Sequence, residues 1–161
     1  MADPIMVSSC ARAATAAEAA YRIDYPLAHA RHTRVIAFDE AAEQVVRAVS
    51  EDGPWGQAEF YRAGPWGDEL ITLEGERRTL ESEVEHSDSV IMVATNDLDP
   101  EAVAAVGLAC RSRSIMTAGM LLLGEGTLEG TALAAIRPHA RVLLVPADYD
   151  DLFELLRGIR A

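Results

Sequence analysis

A chain of 161 residues, half of them hydrophobic, is long enough for one domain that buries about two thirds of its unfolded surface without disulfide staples. Its formal charge of −12 falls on residues 33–161, because Asp3, Glu18 and Asp24 balance Arg12, Arg22 and Arg31. Such an acidic body is repelled by nucleic-acid backbones and anionic membranes, so neither is an expected partner.

All 14 lysine-plus-arginine positions are arginine, which excludes P-loop, Schiff-base and response-regulator lysines. No apolar run approaches the roughly 18–20 residues of a membrane span. The first 32 residues lack the basic start and unbroken apolar core of a secretory signal, so a cytoplasmic location is expected. Cys10 and Cys110 are too few for a disulfide framework or a cysteine zinc site. Cys110 shares a helical face with Val103, Val106 and Gly107 and reads as a buried, inert thiol.

In chain order, the Ala-rich residues 10–22 favour a helix, and a linker broken at Pro26 follows. Residues 1–32 are therefore expected to be an arm and residues 33–161 the domain. The apolar run 34–38 predicts a buried strand. Ala42, Val45, Val46 and Val49 then follow the i, i+3, i+4, i+7 spacing of a core-facing helix.

A GPWG turn at 53–56 recurs at 64–67. Strands are expected between the turns and again at 69–73. Residues 74–88 hold six acids against two arginines and read as a solvated helix or loop. Residues 89–95 form the strongest buried strand, and Asp99-Pro100-Glu101 supplies an N-cap, an N1 proline and a first-turn acid. Strands at 115–123 and 141–146 bracket a helix at 127–136. Asp148 caps a last helix whose Leu152, Leu155, Leu156 and Ile159 form its buried stripe.

Buried strands alternating with amphipathic helices predict a three-layer Rossmann-like α/β fold, with a mainly parallel sheet of about six strands and helices on both faces. Ligands of such sheets sit beyond the carboxyl ends of the strands, near the topological switch point. Asp39, Glu40, Asn96, Asp97, Asp99 and Asp148 all follow strands and are the candidate cofactor or metal residues. If they converge, their oxygens suit Mg²⁺; if they splay apart, they are helix caps, which is the favoured reading, with no cofactor. Trp55, Phe60, Tyr61 and Trp66 concentrate aromatic surface on the two GPWG turns and are the candidate interface to a protein partner or a second copy. His139, beside Pro138, reads as a surface residue. Neither a GxSxG nor an HExxH pattern occurs, so no catalytic residue is assigned.

The segments VIAFDEAAEQVVRAV, HSDSVIMVATN, SIMTAGMLLL and LEGTALAAIRPHARVLLVPADYDDLFELL resemble, in order over residues 34–157, the nucleotide-binding half of the FtsZ/tubulin family. The family's glycine-rich loop after the first strand is replaced by Asp39-Glu40-Ala41-Ala42, and its GGGTGTG signature by residues 95–100, TNDLDP. A carboxylate about 4 Å from a phosphate charge costs roughly 4 kcal/mol at an effective dielectric of 20, far above the roughly 0.3–1 kcal/mol a helix dipole returns. The resemblance therefore implies a degenerate domain without GTPase activity or filament formation. The expected function is a non-catalytic regulatory or assembly module; a Mg-assisted enzyme acting on a nucleotide or phosphometabolite is the alternative.

Overall fold

A computed structural model describes residues 30–124 and 126–161; the expected helix at 10–22 lies outside them. Seven strands form one sheet: β1 (Thr33–Ala37), β2 (Ala58–Ala63), β3 (Glu69–Thr72), β4 (Arg77–Thr79), β5 (Ser89–Ala94), β6 (Met116–Leu122) and β7 (Val142–Ala147). Among the described residues five α-helices accompany them: α1 (Glu40–Glu51), α2 (Leu80–Glu85), α3 (Pro100–Ser112), α4 (Gly130–Ile136) and α5 (Tyr149–Ile159). The spatial order is β4-β3-β2-β1-β5-β6-β7. β1, β2, β5, β6 and β7 run parallel, whereas at one edge β3 pairs antiparallel with β2 and β4 antiparallel with β3. The chain moves outward from β1 to β2, then returns to lay β5 on the other side of β1. The topological switch point thus lies between β1 and β5.

Strand alternation divides the core in two. Val35 and Ala37 of β1 and Ile91 and Val93 of β5 pack with Val46 and Val49 of α1 and Leu152 and Leu156 of α5. The intervening Ile36, Val90 and Met92 pack with Val84 of α2, Val103 and Val106 of α3 and Ile136 of α4. Each of these side chains is essentially sealed from solvent, and full burial of one contributes about 1.5–3 kcal/mol. The helix stripes read from the sequence at Val46, Val49, Leu152 and Leu156 are therefore core-facing, and Cys110 is buried as expected. Burial pushes its thiol up to about 11, which keeps it protonated and unreactive at neutral pH.

Three elements refine the expectation. Residues 74–88, expected to be a solvated helix or loop, do hold a helix, but α2 buries Leu80 and Val84 at i, i+4 and the unexpected β4 extends the sheet to seven strands. The six acids obscured that short apolar stripe. The turn expected at 64–67 is present as a single turn at Pro65–Gly67, and it sends β3 back antiparallel to β2. α4 starts at Gly130, three residues later than expected.

Beneath α2, Arg34 is buried between Glu83 and Glu59, with Nε 3.3 Å from Glu83 Oε2 and Nη2 3.3 Å from Glu59 Oε2. The Tyr61 hydroxyl meets the same two carboxylates at 2.7 and 2.6 Å. Burial drives the Glu83 carboxyl up, but the Tyr61 hydrogen bond and the Arg34 and Arg78 charges outweigh it and leave it below its ordinary value. The cluster joins β1, β2 and α2 through paired charges, the condition under which buried ions are tolerated.

Candidate functional site

Asp39 stands immediately beyond β1, at the switch point. Its backbone is extended, as an N-cap requires, and Oδ1 accepts from the Ala42 amide of α1 at 2.8 Å. Oδ2 accepts from the Thr95 amide, just beyond β5, at 2.6 Å. One carboxylate thus seats on a helix N-terminus and on a neighbouring strand-end amide, the donors that would otherwise face a phosphate. The chain supplies its own anion to this cradle. The second bond spans 56 residues and pins β1 to β5 at the end where ligands enter such sheets.

The remaining strand-end acids do separate work. Asp99 Oδ1 caps α3 through the Glu101 amide at 3.0 Å. Asp148 forms a reciprocal capping box with Asp151 on α5. Glu40 is exposed in the first turn of α1, where its charge suits the helix dipole. Asn96 clamps the β6–α4 loop instead, donating to the Thr127 carbonyl at 3.0 Å and accepting from the Glu129 amide at 2.9 Å. Asp97 lines an open cavity of about 270 Å³ with Thr95, Asn96, Gly124, Thr127 and Glu129. Among the described residues, no three of His, Cys, Asp and Glu stand where they could share a metal ion.

Comparison with protein-family models and with curated proteins finds no match. Among solved structures, an AraC family transcriptional regulator from Pseudomonas putida aligns with a TM-score of 0.43 at 11% identity, over 79% of this chain and 89% of that one. The expected FtsZ/tubulin-like domain is overturned, because no family model of any kind matches the chain. The physical reason is that the resemblance rested on apolar strand patterns, which recur in unrelated α/β folds. What the described residues establish is an α/β fold with a seven-stranded, mostly parallel sheet and five helices, and among them no helix is long and apolar enough to cross a membrane.

The four aromatic residues part company. Tyr61 is buried with Glu59 and Glu83. Trp55 and Phe60 are half-buried: the Trp55 indole donates to the Val49 carbonyl at 2.8 Å, and its ring meets Phe60 and Phe153. Trp66 alone projects outward, 69% exposed, from a left-handed backbone conformation with φ of +67°. A bulky residue at positive φ is strained by about 1–3 kcal/mol. The turn sits close against α3: Gly67 follows at φ +74°, and a Cβ there would lie 2.7 Å from Ala102.

Sequence reasoning missed two features. Thr95 takes part through its amide, which carries no residue-type signal. His139 is half-buried rather than on the surface, and its ring rests where Gly107 leaves room on α3.

Proposed function

We propose that the chain is a non-catalytic, three-layer Rossmann-like module that works in regulation or assembly through protein contact. The observation that carries this reading is the Asp39 carboxylate on the Ala42 and Thr95 amides. A nucleotide phosphate at the switch point would have to displace a covalently tethered anion and accept its charge at close range. The layered description is supported by the two apolar clusters, one with α1 and α5 and the other with α2, α3 and α4. Protein contact is supported by Trp66, exposed on a strained turn that sits close against α3; exposed aromatic groups of this kind are common anchors of interfaces.

A thermal-shift panel of GTP, ATP, NAD and flavin, each with and without Mg²⁺, tests the reading. The expected result is no Mg²⁺-dependent shift with any of them. A metal-dependent rise in melting temperature would contradict it, because a ligand at 100 times its Kd adds about 2.7 kcal/mol of stability.

A further inference from the structure

At the amino ends of β6 and β7 the charge of the molecule reverses. Residues 102–124 and 130–147 contain no Asp or Glu, yet they hold Arg111, Arg113, Arg137, His139 and Arg141. The last turn of α3 meets the single turn at Arg137–His139. Together they enclose a cavity of about 130 Å³ whose polar lining is Arg111, Ser114, Thr117, His139 and Arg141. Among the described residues neither Arg111 nor Arg141 forms an ion pair with a carboxylate, although the chain has 26 acids.

The walls of this cavity are fixed by specific contacts. Arg111 Nη2 donates to the Pro138 carbonyl at 2.8 Å, which orients the guanidinium and leaves other N–H groups unused. Thr117 Oγ1 donates to the His139 carbonyl at 2.7 Å, and the Arg141 amide donates to the Thr117 carbonyl at 3.0 Å. The His139 ring lies so close to α3 that a Cβ at position 107 would be 2.3 Å from its Cγ and Nδ1. Its Nδ1 is buried without a hydrogen-bond partner. Burial first, and then the Arg111 charge, hold the imidazole below its ordinary pKa, so near neutral pH the positive charge here comes from the arginines.

We propose that this cavity binds a small tetrahedral oxyanion, a phosphate group held between Arg111 and Arg141, either free or as the end of a small phosphorylated molecule. Guanidinium groups present paired N–H donors that match phosphate oxygens. The acids elsewhere on the surface are screened beyond about 8 Å at physiological salt, so the local arginines decide the sign of the field. The site is independent of the contact function assigned above and lies at the opposite end of the sheet.

Equilibrium dialysis of the full chain against radiolabelled inorganic phosphate, at constant ionic strength near 0.15 M, tests the proposal, with unlabelled phosphate, glycerol phosphate and chloride as competitors. Saturable uptake that chloride fails to displace is expected. Arg141→Gln should weaken it about tenfold or more, equivalent to about 1.4 kcal/mol, without changing the circular dichroism. Arg111→Lys, which keeps the charge but loses the fork, should weaken it as well. In the ring-proton NMR spectrum, phosphate should raise the His139 pKa, because a bound anion offsets the Arg111 charge. Preferential competition by glycerol phosphate would assign the site to a phosphorylated molecule, and preferential competition by inorganic phosphate to the free ion. Absence of saturable uptake, equal displacement by chloride, or unchanged uptake in Arg141→Gln would overturn the proposal.

Discussion

The two ends of the parallel sheet treat anions in opposite ways. At the carboxyl end, where open α/β sheets ordinarily receive phosphates, the helix and strand amides are held by Asp39, and Asp97, Asp99 and Asp148 follow nearby strands. At the amino end of β6 and β7, Arg111 and Arg141 line a small cavity and form no ion pair among the described residues. The contrast teaches that the direction of a sheet does not by itself fix where its anion site lies. Side chains seated on the backbone amides can close one end, and arginines brought together by packing can open the other.

The sharpest way to break this comparison is to remove Asp39. Asp39→Ala loses an N-cap worth about 0.5–2 kcal/mol and a charged hydrogen bond worth about 1.5–3 kcal/mol. Urea unfolding should therefore show a loss of roughly 2–5 kcal/mol, whereas Arg141→Gln, at an exposed position, should stay within about 0.5 kcal/mol of the parent. Equal effects from the two substitutions would remove the distinction between a structural anion and an unpaired cation.

A second substitution acts at the amino end. Gly107→Ala forces a Cβ into the His139 ring, an overpacking expected to cost about 1–3 kcal/mol and to displace one wall of the cavity. A neutral result in urea would show that the ring moves freely. The pH dependence sharpens the same point. Because the folded-state pKa of His139 is lowered, the unfolded chain binds the proton first, so this residue's contribution is full above about pH 6.5. It is lost as the pH falls through that value toward the folded pKa. His139→Gln should flatten that part of the stability profile; an unchanged profile would assign it to other groups.

The smallest expected effect concerns Trp66. Glycine accepts a positive φ without strain, so Trp66→Gly should leave stability unchanged or raise it by about 0.4–1 kcal/mol. If the exposed ring is a contact, the same variant should sediment closer to the 17.4 kDa monomer than the parent does. Gain of stability together with loss of association separates an interface residue from a structural one, and a loss of both would reject the assignment.

Much of this architecture was legible in the sequence because it rests on local periodicity. The stripe of Val46 and Val49, the buried run 89–95 and the caps Asp99 and Asp148 all signal through neighbours three or four residues away. The site was less legible because its bonds are not local. Asp39 is recognisable as a residue following a strand, but its bond to the Thr95 amide depends on β5 returning beside β1. The arginines at 111 and 141 line one cavity only once α3 meets the turn at Arg137–His139. The available signal was the absence of acids across 102–124 and 130–147 in so acidic a chain. β4 and α2 were hidden for a related reason, since burial of Leu80, Val84 and Glu83 requires the Arg34 pairing.

The central claim, that Asp39 occupies the anion cradle at the switch point, is tested most directly by amide NMR of the full chain during addition of inorganic phosphate and then Mg·GTP at fixed ionic strength. The Ala42 and Thr95 amide signals should remain where they are throughout, and in Asp39→Ala both should move from their parent positions. A saturable shift of either signal in the parent protein would mean that the cradle is open to ligand and would contradict the account.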